Sequence, residues 1–231
     1  MISSSNNTST ANTTRGQIRC GKLNHTPDLE GYIVVNCCST AKDQLYKQLS
    51  PMLLGPYEYE MDATDYPLDE KNKPSKKVVI HNLENFWQFS KVWEGEEESF
   101  YNEKTKTNEL RPNRLFFERR AEGWNDKKAH RWVKKGEKTL YAWWHGEKLD
   151  YMAGRRRIYC PLYAEKVVHI EGFKKVQNLL NKGHNILILG YDGYDYHAEN
   201  MTLQDCFNDV SRPFGHELVL CGLLTNDHVW E

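Results

Sequence analysis

Short apolar runs divide the chain into predicted strands. Four such runs, at residues 31–36, 78–80, 140–144 and 185–190, are rich in β-branched or aromatic residues. The last run contains four consecutive isoleucine and leucine residues and is the clearest strand of the chain. Segments with helical spacing separate these runs. The pattern predicts a mixed α+β fold, a single domain in which helices surround a small central sheet.

Three segments in the carboxyl-terminal half have helical spacing. Residues 173–180 form an amphipathic pattern that Gly183 ends as a C-cap. Residues 218–224 are apolar throughout, which predicts a buried helix. Residues 150–163 also fit a helix, although Pro161 is expected to kink or divide it.

Residues 81–93 predict a helix with two distinct faces. At about 100° per residue, Phe86, Phe89 and Trp93 share one face and anchor the helix in a core. The opposite face carries a carboxylate, an amide and an amine, on Glu84, Gln88 and Lys91. Such a cluster is typical of a small polar active site. The same spacing also fits a solvated helix face with a supporting Glu–Lys pair.

Polar stretches predict the loops and one terminal tail. Residues 1–15 are mostly Ser, Asn and Thr, so we expect a disordered tail that cannot bury enough apolar surface to order itself. Residues 57–77 are polar and contain prolines, which predicts an exposed loop. Residues 16–231 then form the globular domain, with a charged, turn-rich insertion at about 94–145.

Cations and tryptophans are interleaved between residues 119 and 135. They are Arg119, Arg120, Trp124, Lys127, Lys128, His130, Arg131, Trp132, Lys134 and Lys135. One interpretation is a groove that binds phosphates and stacks bases or sugars on its tryptophans. A solvated loop, balanced by the acidic residues 96–98, fits the same pattern.

An acidic turn follows the clearest strand. Asp192 and Asp195 lie just after residues 185–190, and Gly193 lets the backbone turn between them. Carboxylates at a strand end often bind a metal or a ribose hydroxyl. An Asp-Gly turn is also one of the commonest ways to leave a strand.

Three other places carry candidate binding groups. Residues 37–40 follow a strand and could cradle a phosphate with their backbone N–H groups, or cap a helix. Residues 155–157 are three arginines, of which at most one or two could reach a phosphate, and a solvated helix face fits the triplet as well. His216 begins the last predicted helix, as a general acid or base or as a structural hydrogen-bonding residue.

Composition narrows the class of protein. Lys and Arg total 31 against 32 for Asp and Glu, which excludes a non-specific nucleic-acid coat. The apolar runs are too short for a membrane span, and the amino terminus lacks a secretion signal. The six cysteines form no C-x-x-C pair, so no zinc site is predicted. We therefore expect reduced thiols in a cytoplasmic protein.

The spacing of Glu84, Gln88 and Lys91 among aromatic residues resembles a motif of the NADAR family of N-glycosidases, which are linked to riboflavin intermediates and ADP-ribose derivatives. The later order of elements, an aromatic-acidic turn at 191–193 and a closing apolar helix from Gly215, is similar too. The resemblance covers residues 78–93 and 150–224. The aromatic-Pro-Thr/Ser lead and the Trp-Gly-x-Gly turn of the family are absent from this sequence, and the charged insertion is additional.

The resemblance implies hydrolysis of a C–N glycosidic bond, with no cofactor and no metal. Glu84 would stabilise charge at the ribose anomeric carbon or transfer protons. Lys91 would capture that carbon as a Schiff base, which requires a lowered pKa. Further site residues would be Asp192 in catalysis, and Gln88, Trp87, Arg155, Arg157 and His216 in substrate binding. The substrate would be a small nucleotide or an ADP-ribosyl derivative.

Two alternatives use other parts of the chain. A non-catalytic nucleotide- or nucleic-acid-binding protein would use the basic, Trp-bearing tract 119–135. A metal-dependent hydrolase or phosphotransferase would be centred on Asp192 and Asp195, together with a third acidic or histidine ligand. The glycosidase instead requires Glu84 and Lys91 to face one pocket.

Overall fold

A computed structural model describes residues 14–70, 72–131 and 136–231. The predicted tail therefore lies almost wholly outside the described residues, as do Trp132, Lys134 and Lys135 of the basic tract. Arg15, which the sequence places in the tail, donates a hydrogen bond to the Leu224 carbonyl. None of the helices in the described ranges has the length and apolarity needed to cross a membrane.

The described residues form a mixed α+β fold, as predicted. The strands are β1 (Ile18–Lys22), β2 (Tyr32–Asn36), β3 (Tyr57–Met61), β4 (Lys76–Ile80), β5 (Lys91–Trp93), β6 (Glu97–Asn102), β7 (Thr107–Pro112), β8 (Thr139–Trp144), β9 (Glu147–Leu149) and β10 (Asn185–Gly190). The helices are α1 (Gln44–Lys47), α2 (Leu83–Phe89), α3 (Arg114–Asn125), α4 (Tyr151–Gly154), α5 (Cys160–Val167), α6 (Glu171–Asn181), α7 (Leu203–Asn208) and α8 (His216–Thr225). The strands are divided among several small sheets rather than gathered in one.

The innermost sheet is parallel and has the order β1-β10-β2. Ile186 pairs with Ile18 on one side and with Ile33 on the other. The four isoleucine and leucine residues of β10 are all buried, because α5, α6 and α8 join the same core. This double burial explains why the strand is apolar throughout.

The region predicted as an exposed loop, residues 57–77, contains strand β3 and the start of strand β4, so the prediction was wrong for these strand residues. The strands pair antiparallel from Tyr57 with Ile80 to Met61 with Lys76. Tyr57, Tyr59 and Met61 pack against a second apolar cluster, while the intervening glutamates face outward. The alternation of apolar and acidic residues in 57–61 was therefore a strand signal that the prolines obscured.

Helix α2 is shorter than the predicted helix 81–93. It begins after Asn82, whose side chain accepts a hydrogen bond from the Asn85 N–H at 2.8 Å. It ends at Phe89, and the following residues form β5, in which Lys91 pairs with Ala142 of β8. The chain thus changes from helix to strand within the motif, because pairing with β8 outweighs helical continuation.

The charged insertion is not only a surface excursion, since it supplies part of the core. β6 and β7 form a hairpin, and α3 then packs against α2. Phe116 and Trp124 of α3 are buried. The Trp124 ring stacks on Phe86 with 4.9 Å between centroids. These residues form a second layer of the core, against which α2 and β5 pack.

Helices α4 and α5 are joined by a π-helical segment, Arg155–Tyr159. The Cys160 N–H donates to the Arg155 carbonyl, five residues back. Pro161 lies just after this wider turn, where its ring would otherwise clash with the carbonyl four residues earlier. The predicted interruption by Pro161 therefore takes the form of a π-bulge rather than a break.

Replacement of Gly123 by alanine should destabilise the packing of α3 on α2. A Cβ at this position would lie 2.1 Å from the buried Phe89 ring. We expect G123A to lose about 1–3 kcal/mol of unfolding free energy in urea titrations, because the clash outweighs the better helix propensity of alanine. The exposed neighbour Glu122 supplies the control, since E122A should change stability little. Equal stability of G123A and the native chain would contradict the packing.

Candidate functional site

The predicted polar cluster opens onto a cleft of about 660 Å³. The cleft lies beyond the carboxyl ends of β2 and β10, where ligand sites of α/β sheets gather. Its lining includes seven of the eight residues selected from the sequence, namely Glu84, Trp87, Gln88, Lys91, Arg155, Asp192 and His216. Residues 38–40, proposed as a phosphate cradle, also line it. Asp43, not Ser39 or Thr40, caps the helix that follows.

Glu84, Gln88 and Lys91 form one hydrogen-bonded chain. Gln88 Nε2 donates to Glu84 Oε1 at 2.9 Å, and Lys91 Nζ donates to Gln88 Oε1 at 2.9 Å. Lys91 Nζ also lies 4.8 Å from the centre of the Trp87 ring. The amide therefore holds the carboxylate and the amine at a fixed separation on the cleft wall.

Burial changes the proton affinity of both ends of this chain. Desolvation raises the pKa of Glu84, against the opposing effects of the Gln88 hydrogen bond and the Lys91 charge. Desolvation lowers the pKa of Lys91 to about 8, and the negative charge of Glu84 acts in the opposite direction. With this pKa the Lys91 amine is mostly protonated at pH 7, but roughly a tenth of it is neutral and nucleophilic, far more than for an ordinary lysine.

Arg119 fixes the backbone of Lys91. Its Nη2 donates to the Lys91 carbonyl at 2.7 Å, and its Nε and Nη2 both bond the Glu96 carboxylate, at 2.7 and 2.8 Å. Arg120 is buried and pairs with Asp65 at 2.9 Å. Trp124 is in the core. These three members of the basic tract are internal supports, so the expectation that they line a nucleic-acid groove was wrong.

Asp192 lies in the turn after β10 and faces a residue that sequence analysis did not single out. Arg131 Nη2 is 3.7 Å from Asp192 Oδ1. The Arg131 guanidinium carbon is 5.2 Å from the centre of the Tyr191 ring. The Tyr191 hydroxyl is 3.3 Å from Thr40 Oγ1. Arg131 was one cation among several in the tract, and only its contact with the acidic turn distinguishes it.

His216 is held by both ring nitrogens. Nε2 lies 3.0 Å from the Cys37 carbonyl oxygen and 3.2 Å from Cys37 Sγ. Nδ1 lies 3.2 Å from Glu217 Oε2. These contacts fit the structural alternative that the sequence left open, because neither nitrogen is free to meet a ligand without exchanging a partner.

Glu217 is a buried carboxylate that sequence reasoning missed. Burial raises its pKa. A Cβ at Gly190, Gly193 or Gly215 would lie 2.3, 3.2 or 2.4 Å from the Glu217 side chain. Glycine at all three positions therefore makes room for this carboxylate beneath the acidic turn. The clustering of glycines around the strand end and the last helix was the signal that could have indicated it.

The arginines of residues 155–157 do not provide the phosphate ligands that the sequence predicted for the cleft. Arg155 is buried and donates to the carbonyls of Phe207, Asp209 and Arg212, at 2.5, 3.5 and 3.1 Å. It thereby tethers the loop after α7 and leaves little capacity for a phosphate. Arg157 lies outside the cleft lining and pairs with Glu147 at 2.5 Å. Its prediction as a substrate-binding residue was wrong.

The metal-centred alternative lacks a ligand set in the described part of the chain. Asp195 lies outside the cleft lining and forms an ion pair with Arg19, whose Nε lies 3.0 Å from Asp195 Oδ1. No group of three or more His, Cys, Asp or Glu side chains among the described residues is arranged to hold a metal ion. All six cysteines are free and buried.

The titration of Lys91 can be measured directly. Competitive acetylation across pH 6–11, followed by mass spectrometry of the peptide that carries Lys91, should give a midpoint near pH 8. The usual lysine value is about 10.4. In E84Q the midpoint should move lower still, because the charge that opposes deprotonation is gone. A midpoint above pH 10 in the native chain would contradict the buried amine.

Comparison with known proteins identified no relative of this chain. No protein-family model, no curated protein and no solved structure matches it. The likeness to the NADAR family therefore rests on Glu84, Gln88 and Lys91 and on the order of the elements.

Proposed function

We propose that the protein is an N-glycosidase that hydrolyses the C–N bond between a base and a phosphorylated ribose or ADP-ribose derivative. The observation that carries the proposal is the hydrogen-bonded chain from the buried Glu84 through Gln88 to the half-buried Lys91, on the wall of a cleft that Asp192 also lines. An amine with a pKa of about 8 beside a buried carboxylate is suited to covalent capture of an anomeric carbon.

The cleft has the size and lining for such a substrate. Its volume of about 660 Å³ lies within the range of small-molecule sites, roughly 300–1,000 Å³. Trp87 and Tyr159 both line it, with 5.6 Å between their ring centroids. These rings supply an apolar wall against which a base can stack. Asp192 is placed to accept a hydrogen bond from a ribose hydroxyl.

The covalent route balances with one water molecule for each bond hydrolysed. The neutral amine of Lys91 forms a bond to ribose C1 while the bond from C1 to the base breaks and the base leaves with the electron pair. Glu84 stabilises the positive charge that develops at C1, accepts the proton that the attacking amine loses and passes it to the departing base. The ribose ring then opens to an imine on Nζ as the remaining N–H proton passes to the ring oxygen. Water adds across the double bond between C1 and Nζ, and the C1–Nζ bond breaks as the new hydroxyl proton passes to Nζ, which regenerates the neutral amine and releases the ribose.

Base release from a panel of nucleotides and ADP-ribosylated compounds tests the proposal. The native chain should release a base from at least one compound, and borohydride added during turnover should trap a ribosyl adduct on Lys91. K91R should lose activity while it keeps its fold, because guanidinium retains the charge but cannot attack. E84Q should lose most of its turnover as well.

The matched control is K77R, because Lys77 is an exposed lysine on β4 outside the cleft lining. K77R should be as active as the native chain. An active K91R with no trapped adduct would refute the covalent step and leave only direct attack by water. Absence of base release from the whole panel, with tight nucleotide binding, would instead favour the non-catalytic alternative.

A further inference from the structure

We infer that Arg131 is the phosphate-binding residue of the cleft, and that a bound phosphate displaces Asp192 from Arg131. The inference deepens the proposed function and rests on it for the class of ligand, a ribose that carries a phosphoryl group. Arg131 comes from the charged insertion, a part of the chain that the family resemblance does not include.

The ion pair between Arg131 and Asp192 is loose enough to be exchanged. The separation of 3.7 Å between Nη2 and Oδ1 is longer than a normal charged hydrogen bond. Both side chains are about two-fifths exposed, at 40% and 41%. An ion pair of this kind contributes little stability, so a stronger anionic partner can replace the carboxylate.

The other cations of the described lining are already engaged. Arg155 donates to three backbone carbonyls, and the amine of Lys91 donates to Gln88. Arg131 has no such fixed acceptor, since its described contacts are the loose pair with Asp192 and the Tyr191 ring. The ring supports one face of the guanidinium and leaves its edge available for bidentate binding of a phosphate.

A phosphate and Asp192 therefore compete for the same guanidinium. A phosphoryl group offers up to two negative charges, whereas the Asp192 carboxylate offers one and lies 3.7 Å away, too far for a bidentate hydrogen bond. When the phosphate binds, Asp192 is released within the cleft and can accept a hydrogen bond from the ribose. The exchange selects phosphorylated ligands over neutral nucleosides, and it frees the carboxylate only when such a ligand is present.

Calorimetric titration of the full chain with ribose 5-phosphate, and with ribose as the uncharged comparison, tests the assignment. The native chain should bind ribose 5-phosphate more tightly than ribose. R131Q should weaken binding of ribose 5-phosphate about tenfold or more, and should not weaken binding of ribose, because Asp192 is then free to accept a hydrogen bond from the sugar. R131K keeps the charge but loses the two-pronged guanidinium. Its affinity for ribose 5-phosphate should therefore fall between those of the native chain and R131Q. R157Q removes an arginine outside the lining and is the matched control.

The competition itself is tested by D192N. Loss of the competing carboxylate should strengthen binding of ribose 5-phosphate roughly two- to fivefold. D192N should give little gain in the R131Q background. Without Arg131 there is no ion pair with Asp192 for the phosphate to break, so removal of the carboxylate changes little. This double-mutant cycle separates competition for Arg131 from simple repulsion between Asp192 and the phosphate, which acts in both backgrounds.

Several results would overturn the inference. Native-like affinity of a folded R131Q for ribose 5-phosphate would exclude Arg131 as the phosphate ligand, and so would equal affinity of the native chain for ribose and ribose 5-phosphate. An equal gain from D192N with and without Arg131 would exclude the exchange. Failure of the proposed function looks different: binding through Arg131 would persist, and no base would be released from any compound.

Discussion

The change from helix to strand at Ser90 is the constraint on which the site depends. Ser90 is buried, its Oγ donates to the Phe86 carbonyl at 2.7 Å, and its own carbonyl accepts from the Trp143 N–H at 2.9 Å. The first bond closes α2, and the second begins the pairing of β5 with β8. Lys91 is thereby placed on a strand while its amine stays within 2.9 Å of Gln88. A continuous helix would leave the amine without this backbone support.

The charged insertion supports that junction from behind. Arg119 ties Glu96 to the Lys91 carbonyl, and Arg120 is buried against Asp65. Burial of a guanidinium group costs less when it is paired, and both groups are paired with a carboxylate and a backbone carbonyl, although Nη1 of Arg119 is buried without a hydrogen-bond partner. Charge that suggested a surface for nucleic acid therefore serves internal packing. Lys127 and Lys128 of the same tract are exposed, and Arg131 lines the cleft.

Two buried carboxylates lie in this part of the fold, Glu84 in the cleft lining and Glu217 outside it. Glu84 faces the cleft and shares a hydrogen-bonded chain with Gln88 and Lys91, so its proton affinity is coupled to the group beside it. Glu217 lies behind the acidic turn, in space that glycines leave open. Its contact with His216 Nδ1 fixes the ring that in turn holds Cys37. The first carboxylate therefore faces the cleft, whereas the second is internal and positions His216.

Local patterns in the sequence predicted the α+β class, the elements β10, α6 and α8, and the polar cluster of Glu84, Gln88 and Lys91. They did so because a buried apolar face gives a periodic pattern of apolar residues in the sequence. They were insufficient where a partner lies far along the chain. Lys91 is on a strand because it pairs with Ala142. Only the contact with Asp192 distinguishes Arg131 from the other cations of the basic tract. Arg157 matched the pattern of a phosphate ligand yet lies outside the cleft. Strand pairing and ion pairing join residues that are distant in sequence, so only the tertiary structure decides them.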